Sequence, residues 1–377
     1  MNIIIDLIRK NNEHHVFNSE TIKAIESITN ESYYYLDGSS SSIEFIKNKD
    51  NLTNVKVSNT KVYLWILSTF KLIQLLFKHK KDNIIILSAT PLHYFVCTIL
   101  NNLLNVNIKI FMHGELGYIN SAEGRGQKFG SKLLDLAFKI KSKIKFIAIN
   151  EYIYNKMLSL YPETEFSCIE HPLQQYDLKN KQNKQNKQNK QNKQNKDDNF
   201  QLNIGSFGIQ SKEKNSEKIY ELSSIINDLK VKLQTIGITN GSFEYDQSSN
   251  VIHYCRGDFN SELIPKDVFL SYVLNLDLVL FFNSSDEKYD LIPSGVFSDC
   301  IALELPIIAL KNAKLEFFFQ KYGVLGILCD DIESMGEAIR KLYSNPAEYK
   351  SYKDSIKMIK SKLNFSCYRR KISELLK

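Results

Sequence analysis

The chain has 377 residues, 43% of them hydrophobic and 24% charged, the balance of a globular protein long enough for two domains with separate cores. Its net charge of +7 invites a nucleic-acid reading, but residues 178–196 hold seven lysines and no acid, and without them the net charge is zero. The excess is therefore local, which argues against nucleic acid as a partner.

The apolar start is broken by Asp6, Arg9, Lys10 and Glu13, so no secretory leader is expected. The six cysteines are scattered, without a Cys-x-x-Cys pair, and are expected as free thiols in a reducing, cytoplasmic compartment. Asn2–Leu7 predicts a short strand, followed by a polar loop carrying His14 and His15 and a helix running to about Glu26–Thr29. Tyr33–Leu36 and Val55–Val57 are candidate strands. The apolar stretch Val62–Phe77 is interrupted by Lys71 and Gln74 and is too short to span a membrane, so Tyr63–Lys80 predicts an amphipathic helix. Strand Asn83–Leu87, helix His93–Leu104, strand Ile108–Met112, helix Gln127–Lys141, strand Lys145–Ile149, helix Glu151–Leu160 and strand Phe166–Ile169 follow. This alternation predicts a mostly parallel sheet with right-handed crossovers.

Five copies of Lys-Gln-Asn then run from Lys181 to Asn195. They contain no apolar residue and cannot join a core, so 178–199 predicts a surface linker between a domain at 1–177 and a second at 200–377. The second half restarts with strand Leu202–Gly205 entering Gly205-Ser206-Phe207-Gly208. Strands at Lys230–Ile236, Val251–Tyr254, Leu276–Phe282, Leu305–Leu310 and Gly326–Cys329 follow, with terminal helices at Ser334–Tyr343 and Ala347–Lys360. Between the strands Leu276–Phe282 and Leu305–Leu310, Ser294 is a good helix N-cap and Gly295 lets a ligand approach the backbone. A βαβ unit with such a turn offers its helix N-terminus to a phosphate.

The run from Ser294 to Ala309 resembles the donor segment of GT-B glycosyltransferases. There a small-residue turn, here Ser294 and Gly295, meets the diphosphate of a nucleotide sugar. An acid one helical turn on, here Asp299, holds the ribose, and a strand like Leu305-Pro306-Ile307-Ile308-Ala309 follows. The two α/β halves match that layout over most of the chain. The resemblance implies an α/β, GT-B architecture of two Rossmann-like doubly wound domains facing a cleft, the acceptor on the first and the donor on the second. Gly205, Ser206, Phe207 and Gly208 resemble the glycine loop against the donor diphosphate, with Lys212 or Lys214 as its basic partner. Tyr254-Cys255-Arg256-Gly257 stands where the base is contacted, with Arg256 on the base.

Many retaining members of the family carry a second glutamate eight positions before the ribose acid. That position here is Leu291, with Asp290 displaced by one, which implies an inverting enzyme needing a general base. His113-Gly114-Glu115 ends a strand of the first half, where ligands bind in open parallel sheets, and the resemblance implies Glu115 as the base with His113 as second choice. His14 and His15 would contact acceptor or donor phosphate, and His171 before Pro172 is expected to be structural. No Asp-x-Asp follows a strand, so no metal or other cofactor is expected beyond the nucleotide sugar as co-substrate, and helix N-termini and basic side chains would stabilise the leaving diphosphate.

Between Arg125 and Lys145 seven cations face one acid, Asp135, on an amphipathic helix. Such a helix suits peripheral contact with an anionic membrane at its cytoplasmic face, and with it a lipid-linked acceptor. The expected function is sugar transfer to a glycan hydroxyl in bacterial surface-polysaccharide (O-antigen or capsule) assembly. A nucleotide-sugar epimerase on the same fold and a non-catalytic nucleotide-sugar-binding scaffold stay open as alternatives.

Overall fold

A computed structural model describes the chain apart from residues 12, 58–60, 177–201, 240, 248, 256, 258–263 and 284–286. The segment 178–199 and Arg256 therefore lie outside the described residues. In chain order the first part contains β1 (Asn2–Asp6), α1 (His15–Glu26), β2 (Ser32–Asp37), β3 (Leu52–Val55), α2 (Lys61–Lys78), β4 (Asn83–Ile86), α3 (Pro91–Leu104), β5 (Asn107–Met112), the single turn α4 (Gly117–Asn120), α5 (Gly124–Lys139), β6 (Lys145–Ile149), α6 (Glu151–Leu160) and β7 (Phe166–Ile169). The second contains β8 (Leu202–Gln210), α7 (Lys218–Ile225), β9 (Val231–Thr239), β10 (Ile252–Cys255), α8 (Lys266–Val273), β11 (Leu278–Phe281), the turn α9 (Glu287–Asp290), α10 (Gly295–Leu303), β12 (Ile307–Leu310), α11 (Ala313–Tyr322), β13 (Gly326–Cys329), α12 (Ile332–Ser344), α13 (Pro346–Lys362) and α14 (Phe365–Leu376).

Two compact units result. The first comprises Met1–Gln174 with Glu287–Ser294 and Leu363–Lys377, and the second comprises Gln175–Asp286 with Gly295–Lys362. In the first unit a seven-stranded sheet has the order β3-β2-β1-β4-β5-β6-β7, with every pairing parallel. The isoleucine runs Ile3–Ile5 and Ile84–Ile86 are buried, as expected of strands covered by helices on both faces. Thr90 caps α3, accepting the His93 N–H in a capping box with Pro91 at the first helical position, which fixes where the chain leaves the edge of β4.

In the second unit a six-stranded sheet has the order β10-β9-β8-β11-β12-β13, again parallel in every pairing. Ile204, Leu278 and Ile308 from its strands meet Ile219 of α7 and Met335 and Ile339 of α12 in its own core. The expected α/β architecture of two Rossmann-like units is therefore present.

The terminal helix departs from the sequence boundaries. The sequence groups it with 200–377, yet α14 packs on α1 of the first unit, where Tyr368 and Ile372 enter that unit's core and the Tyr368 hydroxyl lies 2.6 Å from Thr21 Oγ1. An amphipathic helix goes where an apolar face is open, and here α1 offers one. Cys97, Cys300 and Cys329 are buried free thiols.

Candidate active site

The strand order of the first sheet reverses between β1 and β4, and the carboxyl ends of strands at such a reversal are the usual ligand position in open parallel sheets. Asp6 ends β1 there and is buried. Its Oδ1 accepts the N–H groups of Ile8 (3.3 Å) and Arg9 (3.1 Å), and its Oδ2 accepts Asn18 Nδ2 (2.7 Å) and Ser88 Oγ (3.3 Å). One carboxylate thus ties the loop after β1 to α1 and to the end of β4. Burial pushes it up to about 6, against the pull of Arg9. Sequence reasoning passes over Asp6; its position as the last residue of an apolar strand is the available signal.

Around this loop four elements bring aromatic and polar side chains together. His113, at the end of β5, donates from Nε2 to the Leu87 carbonyl (2.8 Å), which fixes its tautomer. Its ring lies 4.3 Å from that of His14 and 4.7 Å, edge-on, from Phe17. Phe17 also contacts His171, at 5.8 Å. The His113 N–H donates to Glu115 Oε1 at 2.8 Å, and the Tyr94 hydroxyl donates to the same oxygen. Glu115 Oε2 is buried with no hydrogen-bond partner among the described residues, as are His14 Nδ1 and Arg9 Nε.

Burial holds His14 and His113 well below the ordinary imidazole range, with Arg9 adding repulsion at both, and it lowers His171 to about 4. Burial likewise raises the Glu115 carboxyl. The edge therefore presents neutral imidazoles, one guanidinium and two carboxyls of raised proton affinity, Asp6 and Glu115, a set able to exchange protons and to bind a polar ligand.

Of the four expected residues here, Glu115, His113 and His14 come together. His15 does not join them, because its Nδ1 lies 2.6 Å from Ser41 Oγ and its ring faces Phe45. Leu291, eight positions before Asp299, is fully buried. Asp290 accepts the Tyr152 hydroxyl and pairs with Lys156 at 3.3 Å.

In the second unit the order reverses between β8 and β11. The sequence suggests a loop over Gly205–Gly208 after a strand ending at Gly205; instead β8 continues to Gln210, paired residue for residue with β9. The physical reason is a close glycine contact across the two strands. A Cβ on Gly237 would lie 2.0 Å from the Gly208 carbonyl oxygen, and one on Gly205 would lie 2.5 Å from that of Gln234. Here the glycines permit strand pairing in place of a turn. Ser206 donates to Gln210 Oε1 (2.9 Å) and Phe207 packs against Phe269, so both side chains are engaged inside the unit.

Gly208, at φ 97°, still serves the edge. A Cβ there would come within 2.9 Å of Val296 in the first turn of α10, so its absence lets that helix opening approach the end of β8. α10 begins at Gly295, directly after Ser294. One turn along, Asp299 accepts the Tyr176 hydroxyl at 3.1 Å. Burial lifts its carboxyl to about 7 despite that bond and the nearby Lys266. Tyr176 carries no signal in the sequence because it lies outside every periodic segment. Lys212 is exposed and pairs with Glu244 at 2.7 Å, whereas Lys214 is half-buried and burial lowers its ammonium to about 8. Tyr254 stacks on Tyr272 at 4.0 Å. Among the described residues no three His, Cys, Asp or Glu side chains gather as a metal site.

No protein-family profile matches the sequence, and no curated protein matches it. Solved structures do match along the whole chain. One is WaaG, a glycosyltransferase involved in lipopolysaccharide biosynthesis, at 11% identity over 100% of this chain and 99% of that one, with a TM-score of 0.64. Another is Anabaena Alr3699/HepE in complex with UDP, at 11% identity, 100% and 99% coverage and a TM-score of 0.65. A third is the E. coli trehalose-6-phosphate protein bound with UDP-2-fluoro glucose, at 10% identity, 100% and 99% coverage and a TM-score of 0.66. At such identity the likeness is one of fold, and the chain has the GT-B fold of two parallel-sheet Rossmann-like domains.

Proposed function

We propose that the protein is a glycosyltransferase that moves a sugar from a nucleotide diphosphate donor to a hydroxyl of a glycan acceptor. The observation that carries this reading is the edge of the second unit. A helix opening at Gly295 is drawn against Gly208, and the carboxyl of Asp299 stands one turn along it. Backbone N–H groups at a helix start suit a diphosphate, and a carboxylate one turn on suits the vicinal hydroxyls of a ribose. The half-buried Lys214 adds positive charge for the leaving diphosphate. Proteins of the same fold are bound to UDP and to UDP-2-fluoro glucose, which makes a uridine nucleotide the first donor to try.

The acceptor would lie at the edge of the first unit, against His14. Glu115 would take the proton of the attacking hydroxyl, with His113 as the second choice. The unpartnered Oε2 and raised proton affinity of Glu115 support its choice as base. Leu291 cannot ionise and Asp290 is engaged by Tyr152 and Lys156, which favours an inverting reaction. The anomeric configuration of the product tests that directly, since retention would remove Glu115 from the role. The finer reading is a cytoplasmic enzyme of O-antigen or capsule assembly that works on a lipid-linked glycan at the membrane surface.

The deciding experiment is a thermal-shift series with UDP-, GDP-, dTDP- and CMP-sugars, repeated with Asp299→Ala. A ligand at about 100 times its Kd adds roughly 2.7 kcal/mol. Stabilisation by one nucleotide class that is lost in the variant supports the donor site, and no shift with any of them overturns it.

A further inference from the structure

Helix α2 has two apolar faces. Leu72, Leu75 and Leu76 are buried in the first unit, while Tyr63, Ile66, Leu67 and Phe70 point to solvent, with Tyr63 61% and Phe70 63% exposed. Their spacing of three, four and seven residues is one stripe of a helix. A folded monomer needs only the inward stripe, and a row of large exposed apolar side chains marks a contact surface.

The neighbouring helix α5 says what kind. Gly130 of α5 lies against Trp65 of α2, so closely that a Cβ on it would stand 3.4 Å from the indole. The exposed residues of α5 alternate in character along one face, with Phe129 and Leu136 set among Arg125, Lys132 and Lys139. Its lone acid, Asp135, is bound by Lys139 at 2.8 Å, and α2 contains no acid at all. A second copy of the chain meeting this face about a two-fold axis would set cations against cations. Apolar side chains interleaved with cations fit a surface whose interior is hydrocarbon and whose rim is anionic. Neither helix is long and apolar enough to cross a membrane.

We propose that α2 and α5 together form a membrane-docking face, in which Tyr63, Ile66, Leu67 and Phe70 enter the acyl boundary of an anionic bilayer while the cations of α5 hold lipid headgroups. This deepens the membrane-contact part of the proposed function by naming the inserting residues. It does not require sugar transfer, and its test uses no nucleotide sugar, so either reading can fail alone.

Trp65 is the single tryptophan of the chain and lies between the two helices, which makes its emission a local reporter. Full-length protein is mixed with vesicles of phosphatidylcholine alone or with phosphatidylglycerol, then sedimented, and Trp65 emission is recorded. Binding is expected only with phosphatidylglycerol, weakening as salt rises, with a blue shift of the emission and quenching by brominated acyl chains. Ile66→Glu and Phe70→Glu should each weaken binding about tenfold or more, while Met358→Glu, at an exposed site on the second unit, should leave it unchanged. Both helix positions are solvent-exposed, and an unaltered thermal unfolding curve confirms that each variant is folded. Absence of binding to phosphatidylglycerol vesicles at low salt overturns the proposal, as does binding that survives both substitutions. A dimer in sedimentation equilibrium that dissociates on Phe70→Glu, without vesicle binding, assigns the face to a second copy and also overturns it.

Discussion

The two units share a parallel sheet and a reversal of strand order, yet they build the edge at that reversal from different material. In the second unit the backbone makes the edge: Gly208 and Gly237 bring β8, β9 and the start of α10 so close that added Cβ atoms would overlap their neighbours. In the first unit side chains make it, through Asp6, His14, Phe17, His113 and Glu115. A Cβ added to Gly114, beside them, would meet nothing nearer than an Ile292 methyl at 4.0 Å. The difference suits the proposed function. A diphosphate is best met by many backbone N–H groups at close range, whereas proton transfer requires groups of tuned pKa.

The contrast breaks most plainly by adding a single methyl to each edge. Gly237→Ala places a Cβ 2.0 Å from the Gly208 oxygen, at a φ of 137° that an L-residue rarely adopts, and should cost about 3 kcal/mol or more in urea unfolding and abolish the thermal shift with the nucleotide sugar. Gly114→Ala should change stability by less than about 1 kcal/mol. Equal losses at the two sites would mean that the edges are built alike.

The next largest effect belongs to the side chains of the first unit. Glu115→Gln keeps an oxygen to accept from Tyr94 and the His113 N–H but removes the carboxylate. Turnover should fall about 100-fold or more, with donor affinity unchanged in a calorimetric titration. A loss of donor binding equal to the loss of rate would remove the assignment of a base.

The pH dependence of donor binding sharpens the contrast further. With a carboxyl of pKa about 7, Asp299 accepts ribose hydroxyls fully only when ionised, so affinity should rise about tenfold between pH 6 and pH 8 and flatten in Asp299→Asn. The same group works against stability with the opposite slope. Its folded pKa lies above the ordinary 3.8, so the folded state binds more protons through that window, and unfolding free energy falls as pH rises from about 4 to about 7. Asp299→Asn should remove that fall.

Most strands of both sheets are legible because continuous apolar runs such as Ile84–Ile86 and Ile307–Leu310 form them. The edge strand β3 lies at Leu52–Val55 and not at the expected Val55–Val57, since its Leu-Thr-Asn-Val carries no such run. The resemblance around Ser294–Ala309 points to the correct architecture. The segment Gly205–Gly208 misled because glycine signals a turn unless its partner across the sheet is known, and Gly237 lies far along the chain. Helices α11 and α14 were missed: Phe317, Phe318 and Phe319 blur the period of α11, and α14 follows α13 after a break of two residues. Of the candidate residues that the structure brings together, Glu115 and His113 stand out in the sequence by their place at a strand end. Asp6 and Tyr176 act through contacts that only the folded chain creates, with Asn18 and Ser88 for the one and Asp299 for the other.

The smallest effect concerns backbone strain at the far end of α10, away from the second edge. Glu304 follows α10 with φ 58°, the left-handed region that costs an L-residue about 1–2 kcal/mol. The turn is closed by the Leu305 N–H to the Cys300 carbonyl at 2.9 Å, a helix ending that favours glycine. Glu304→Gly should recover part of that strain and lose the Lys360 contact at 2.9 Å, a part-exposed pair that contributes less than about 1 kcal/mol. The net expectation is a gain of several tenths of a kcal/mol, visible as a rise of about one or two degrees in Tm. A double-variant cycle with Lys360→Ala separates the terms: its cost with Glu304 present, less its cost in Glu304→Gly, is the ion pair's worth, and adding that to the observed gain gives the backbone relief. A lower Tm for Glu304→Gly would show instead that the ion pair outweighs the strain, and that this turn, unlike Gly208 and Gly237, is held by its side chain.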